Sequence, residues 1–383
     1  MHTAKTEKRS MNNIAKMFKK VIVCVCSAAL LLCGCKETVR SGVRTSKEEP
    51  IKSELKICCS SYYGHALERV IRTLNSHYSG IDISLITDRD AADILITDRM
   101  DDKTAEHFIS LDSLTGIADF IPELLFRRED EVIGLPLFLE TDGIWLDRLP
   151  YLRENAGVPC RFDDAISSDF IKSNPILYSS RSDSIYWGII VPTYISRGGS
   201  ADSVSVGALS DQALSQSLER LMKMTENGII RESDNPSSEF TSGKAAGWIC
   251  SYLDIIKIQQ DMPLSSKLVF APGISAYKGE TINLAVRADT LFVSENADKQ
   301  AAEIFIGQLF EESSLLSLIS DTHMPIAAKI NCKNHSLPEI FREFYSVLSS
   351  TAVKITYITD RRSESAADNI SSIIENALGS QRQ

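Results

Sequence analysis

Two carboxylates, Glu140 and Asp142, stand one residue apart inside a passage that is otherwise apolar, residues 132–137 before them and 144–146 after. Carboxylates accept hydrogen bonds from hydroxyls and amines. A long extended passage with acidic groups at its middle is what a chain crossing between two domains looks like; a surface loop between strands is the simpler alternative. Polar clusters follow two other apolar runs: Ser60, Ser61, Tyr62, Tyr63 and Gly64 after residues 55–59, and Thr97 with Asp98 after residues 94–96. In open α/β sheets ligands collect at the carboxyl ends of the strands, where Tyr62, Thr97 and Asp98 would sit. Catalytic motifs are missing. Gly273-Ile274-Ser275-Ala276-Tyr277 lacks the closing glycine of G-x-S-x-G, H-E-x-x-H does not occur, and the six histidines are scattered without ligand spacing. Two carboxylates at a suitable separation are all a glycosidase needs. The residues nevertheless give little support to catalysis, and the expectation is no enzyme, no cofactor and no metal.

The elements that would position these groups follow from periodicity. Leu67, Val70, Ile71 and Leu74 recur at three and four residues, which predicts a helix over 66–78 with one buried face. Residues 54–59 and 81–86 read as strands, and 94–96 as a buried parallel strand. This rhythm means an α/β domain with a mostly parallel sheet. Further on, 186–191 begins an apolar helix and 212–228 is amphipathic. Residues 240–252 turn into a strand, 290–293 is a strand, and 297–310 a helix. Helical periodicity returns from Pro338 and again over 366–378.

The N-terminus has the order of a secretory signal: six basic residues from Lys5 to Lys20, then an apolar run over 21–33. That run is about 13 residues, short of the ~20 a spanning helix needs. Met1 and Met11 are both plausible starts. The ending Leu32-Cys33-Gly34-Cys35 resembles the bacterial lipobox, whose cysteine is diacylated; two chains anchor stably where one does not. Residues 36–53 are polar and read as a tether. The full sequence carries a net charge of −10, and removing the basic signal makes it more negative, which argues against a nucleic-acid partner. The cysteines beyond Cys35 are Cys58, Cys59, Cys160, Cys250 and Cys332. Their odd number and lack of C-x-x-C spacing predict buried free thiols rather than a disulfide framework.

These pieces, in this order, resemble an extracellular solute-binding lipoprotein of an ABC transporter (family 1, the carbohydrate-binding group). The stretches that carry the likeness are EVIGLPLFLETDGIWLD (131–147), FTSGKAAGWICSYL (240–253), TLFVSENADKQAAEIFIGQLFEESSLLSLISDTHMPIAAK (290–329) and the lipobox. The family's Asn-Lys after the crossing strand is Asp147-Arg148 here, and its methionine after GKAA is Gly247. The resemblance implies a periplasmic-binding-protein-like fold (type II): two α/β lobes joined by crossing strands around a ligand cleft. Its domains would be a signal peptide (1–34), a tether (35–53), one lobe from 54–139 with 290–323, and the other from 140–289 with 324–383.

What the resemblance implies for the site is a sugar held by two chemistries: aromatic faces against its C–H face, and carboxylates or amides on its hydroxyls. Glu140 and Asp142 would accept hydroxyls at the crossing, unless they are solvated or structural carboxylates. Tyr62, Thr97 and Asp98 would face the cleft, Tyr186 or Trp187 would stack from the second lobe, and Tyr252 falls at the family's usual aromatic position. Trp248 reads as core. Lipidation falls on Cys35, which places a monomer on the extracytoplasmic face of the cell membrane, delivering solute to ABC permease subunits. Two alternatives stay open. The same fold could bind a polyamine, a peptide-like solute or iron, or the protein could be a ligand sensor for a membrane kinase.

Overall fold

The computed structural model describes residues 53–359, except 79, 101, 115, 156, 181, 210, 260, 261, 263–266 and 327–336, together with residues 364–379. The signal segment, Cys35, the tether up to residue 52, and Cys332 lie outside the described residues.

Strand β1 (Ser53–Cys58) buries Leu55 and Ile57. Ser60 then starts a helix instead of extending a loop: its side chain accepts a hydrogen bond from Tyr62 N–H, capping α1 (Ser61–His77). Leu67, Val70, Ile71 and Leu74 form the buried face that their spacing predicts. The two tyrosines therefore stand on the first turn and diverge. Tyr62 faces solvent, whereas Tyr63 is buried against Phe138, ring centroids 4.5 Å apart.

Two sheets organise the chain. The larger has the order β2 (Ile81–Ile86), β1, β3 (Ile94–Thr97), β11 (Ile282–Val293), β5 (Glu131–Glu140), β4 (Phe126–Arg128), with β12 (Val353–Tyr357) paired to β11. The smaller has the order β10 (Leu268–Phe270), β6 (Asp142–Asp147), β9 (Gly247–Ser251), β7 (Ile176–Tyr178), β8 (Ile230–Glu232). The larger sheet is mixed where the sequence suggested a mostly parallel one. β1, β2 and β3 are parallel, but β11 pairs antiparallel with both β3 and β5. The reason is that β11 returns from the smaller sheet and must run against the strands it joins. β12 is a strand in a region whose helical periodicity hid it.

The longer helices pack on these sheets. On the larger, α1 packs against α4 (Lys299–Leu309) and α5 (Glu312–Thr322). On the smaller, α2 (Asp211–Glu226) meets α7 (Glu364–Gly379). α3 (Tyr252–Gln259) follows β9, and α6 (Glu339–Leu348) lies against β10.

Only Thr141 separates β5 from β6, so one residue carries the chain between the sheets. Thr141 is buried; its hydroxyl donates to Ala285 O at 2.9 Å, and its carbonyl accepts from Tyr252 N–H at 3.0 Å. Those two bonds tie the crossing to β11 and to the start of α3. Towards the far end of β6, opposite Leu146, Gly247 is where the resemblance puts a methionine. A Cβ there would lie 2.6 Å from Trp145 O and 2.5 Å from Leu146 Cδ2, so no side chain fits. Gly247→Met is expected to cost about 1–3 kcal/mol through overpacking, read as a fall in Tm; an unchanged Tm would refute this account of the departure.

Candidate functional site

The chemistry converges on the crossing. In β11, Arg287 and Asp289 are two residues apart, and alternation along a strand puts both on one face. Register sets Arg287 opposite Glu140, the last residue of β5, and Asp289 opposite Phe138. Arg287 Nη2 lies 2.7 Å from Asp142 Oδ2 and 3.4 Å from Glu140 Oε1. Asp142 Oδ1 accepts from Ser184 Oγ at 2.7 Å. The remaining face of the guanidinium lies over the Trp187 ring, 4.4 Å from its centroid, a cation–π contact.

Why Trp187 reaches this point is a matter of backbone. Residues Tyr186–Ile190 form a π-helical turn, with Val191 N–H bonded to Tyr186 O. π-turns are rare and often sit at functional places. The turn packs directly on the crossing strand: a Cβ on Gly188 would be 3.1 Å from Gly143 Cα. Only a glycine lets the two backbones approach so closely.

Electrostatics mark the same place. Burial first pushes the Asp142 carboxyl up, with Asp254 and Asp183 adding to it, while Arg287 and Ser184 pull it down; the net direction is up. Burial likewise raises Glu140; Arg287 opposes this, and Asp142, Asp98 and Asp254 add to it. Asp289 is raised to about 7, first by burial and then by Asp98 and Glu140, with the Tyr63 hydroxyl and Arg287 pulling it back. Cys59, at the end of β1, is pushed up to about 12 by burial, Cys58 and Asp289. The strand register brings Asp98, Glu140 and Asp289 together beside the crossing, an acidic lip in which Asp98 and Glu140 both push Asp289 up.

The residues singled out from the sequence divide into two groups. Tyr62 is 57% exposed, its hydroxyl donating to Thr322 O at 3.3 Å. Asp98 is exposed, and the Glu140 side chain is 37% exposed. Thr97 is half-buried, and its hydroxyl is used in a local turn with the backbone of Arg99. The second group is buried. Asp142 is only 5% exposed and both its oxygens are engaged, so it is a structural carboxylate, the alternative that the sequence left open. Tyr186 and Trp187 are buried edge-to-face at 4.9 Å, and Trp187 offers its face to Arg287, not to a sugar.

Tyr252 is also corrected: it is a core residue, packed against Trp145, Phe341 and Phe344, because α6 covers the start of α3. Its hydroxyl has no hydrogen-bond partner among the described residues. Tyr252→Phe removes an unsatisfied buried group, so it should keep or raise Tm by a few degrees and leave solute affinity unchanged. A drop in affinity would return Tyr252 to the site. Trp248 is in the core. The cysteine expectation holds for Cys58 and Cys250, which are buried, but Cys160 is exposed because it lies in the loop before the helix at 162–167.

Sequence reasoning missed Arg287, Asp289 and Ser184. The first two carried a signal, since residues 286–290 (VRADT) alternate apolar and polar as a half-buried strand does. Ser184 carried none.

Larger cavities lie elsewhere among the described residues. One of about 1260 Å³ is lined by Asp147, Asp164, Phe170, Asn174 and Ser242. It sits at the far end of β6 from the crossing and touches no member of the coupled acidic lip. The other, about 560 Å³, lies between Glu106, Arg127 and Arg128 on one side and Asp202 and Ser205 on the other, with Tyr357 at its edge. Tyr357 O–H and Thr290 Oγ1 are 2.9 Å apart. Among the described residues, no group of three or more His, Cys, Asp or Glu could hold a metal ion, and no helix is long and apolar enough to cross a membrane.

No protein-family model matches the sequence, and no curated protein does. Solved structures do match. A sugar transporter from Bacillus licheniformis in complex with stachyose is similar at TM-score 0.57 and 14% identity, covering 86% of this chain and 95% of that one. RafE from Streptococcus pneumoniae, in its apo form, gives 0.67 and 12%, covering 86% and 94%. The maltodextrin-binding protein MalE1 from L. casei BL23 gives 0.65 and 11%, covering 86% and 94%. At such low identity, likeness over nearly the whole of each partner speaks for shared architecture. This chain therefore has the fold of the two-lobed solute-binding proteins, two α/β lobes joined by crossing strands.

Proposed function

We propose that the protein is a lipid-anchored, extracytoplasmic solute-binding component of an ABC importer that captures a sugar or oligosaccharide between its lobes. The feature that supports this reading is the group of carboxylates beside the crossing, Asp98, Glu140 and Asp289, which would accept hydroxyls of a solute held between the lobes. The neighbours add support: their solutes include stachyose, raffinose and maltotetraose. The lobes are taken as 54–139 with 290–323, and 140–289 with 324–383. Cys35 would carry the lipid and hold the protein beside its permease.

The exposed residues suggest an order of events. Tyr62, Asp98 and Glu140 all belong to the larger sheet or its helices, whereas Asp142, Tyr186, Trp187 and Tyr252 are buried. The solute would dock first on the larger lobe, with Tyr62 as its aromatic platform, and closure would follow because the closed form gains the second set of contacts.

A thermal-shift screen of the mature protein in detergent, against saccharides, polyamines and iron, tests the reading. Binding to the native state adds RT ln(1 + [L]/Kd), about 2.7 kcal/mol at 100 times Kd. A shift with an oligosaccharide is expected. A shift with a polyamine or iron and none with any saccharide would overturn it.

A further inference from the structure

With Tyr186, Trp187 and Tyr252 buried, the lobe built on the smaller sheet has to meet a solute with other groups. Strand order says where those groups lie. Asp142, the first residue of β6, pairs with Ser251, the last of β9. β7 runs parallel to β9, and β8 parallel to β7, so all three end on the edge where β6 leaves the crossing. Ligands of α/β sheets collect at such carboxyl ends.

Asp254 stands at that edge, in the first turn of α3. Ser251 fixes it twice: the hydroxyl accepts from Asp254 N–H at 3.1 Å and donates to Asp254 Oδ2 at 2.8 Å. Ser251 faces Asp142 across the ladder, and Tyr252 N–H donates to Thr141 O at 3.0 Å, so the start of α3 is tied to the crossing. Capping α3 needs only the Ser251 oxygen and the Asp254 N–H, which leaves the carboxylate for a second task. It is 36% exposed, and Oδ1 lies 3.5 Å from Lys257 Nζ, on a side chain that is 69% exposed. A carboxylate offers about four lone-pair sites, so these two partners leave room for solute hydroxyls. Its charge is felt at Glu140 and Asp142, raising both, whereas Asp183, exposed at the same edge, is felt at Asp142.

We propose that Asp254 is the closing contact of the smaller lobe, a carboxylate that accepts solute hydroxyls once the lobes have come together. The inference rests on the carbohydrate reading and names a member of the second set of contacts that closure requires. A solute that docks on the larger lobe first reaches Asp254 only afterwards. Losing Asp254 therefore speeds release and leaves capture unchanged.

Surface plasmon resonance on the full-length protein in detergent, with stachyose, raffinose and maltotetraose as probes, is the test. For a probe that the wild type binds, Asp254→Ala should raise koff at least about tenfold, the loss of one hydrogen bond to a charged group, and keep kon within about twofold. Asp254→Asn retains one acceptor oxygen and should fall between. Lys257→Ala should leave both rates within about twofold, since an exposed pair contributes little; it separates solute contact from a broken ion pair. An unchanged koff in Asp254→Ala, a loss carried by kon, or an equal rise of koff in Lys257→Ala would overturn the proposal while the carbohydrate reading stands. Binding of none of the three probes by the wild type would overturn both.

Discussion

Asp142→Ala is expected to cost about 3–5 kcal/mol of folding stability, among the larger effects of any single substitution in this protein. Asp142 is 5% exposed and its two oxygens take Arg287 Nη2 and Ser184 Oγ, each at 2.7 Å. Removing it strands a largely buried guanidinium, and the longer 3.4 Å contact to Glu140, itself penalised by burial, replaces only part of the lost pairing. Glu140→Gln, by contrast, should cost under about 1 kcal/mol, since a half-exposed ion pair is screened. The upward shift of the Asp142 carboxyl sharpens the point: burial, with Asp254 and Asp183 adding to it, outweighs what Arg287 and Ser184 recover. The pair is therefore not a net gain over an apolar substitute, although breaking it is costly. Asp142→Leu combined with Arg287→Met should accordingly recover much of the loss, giving a coupling energy above about 1 kcal/mol in a double-mutant cycle. Urea denaturation supplies all four stabilities. A single-variant loss below about 1 kcal/mol would mean that water reaches Arg287.

The sequence made the fold legible where a pattern repeated over many residues. The buried face of α1, the crossing at β5–β6 and the strand–helix order of the larger sheet all follow from spacing. What spacing could not give was direction. Tyr62 and Tyr63 are adjacent and chemically alike, yet one turn of helix sends one to solvent and the other to the core. The same limit applies to Tyr186, Trp187 and Tyr252. An aromatic at a plausible position is read as a platform, but whether its face is open depends on partners distant in sequence. For Trp187 that partner is Arg287, and for Tyr252 it is α6. Asp142 was legible as a carboxylate at the crossing; its burial came from β11 and Ser184, neither of which the local sequence names. β12 was missed because its five residues lie between two helical patterns and its sheet partner among the described residues, β11, is distant in sequence.

Asp289 gives the second large effect, one that depends on pH. Its carboxyl stands at about 7 in the folded protein against an ordinary value of 3.8, through burial and then the charges of Asp98 and Glu140. A carboxyl raised on folding binds its proton more tightly in the native state. The stability it contributes is full below the unfolded value and is lost as pH rises through the folded one. Between about 4 and 7 the native state therefore holds one more proton than the unfolded chain at this residue, and stability falls by about 1.4 kcal/mol per pH unit on its account. Asp289→Asn removes that slope. The variant should match the wild type near pH 4 and exceed it by roughly 2–4 kcal/mol at pH 8, where the wild type carries a charge in a place that resists it. Glu140 and Asp142, also raised, give both proteins a slope of the same sign, so the difference between the two denaturation series reads Asp289 together with its interaction with Glu140. Parallel curves across pH 4–8 would show that Asp289 is solvated and that the acidic lip is not coupled. If the curves diverge as expected, solute binding should follow the same titration, because a ligand hydroxyl sees a donor in Asp289 below pH 7 and an acceptor above it. Affinity that changes through neutral pH in the wild type and stays level in Asp289→Asn would then tie the acidic lip directly to the solute.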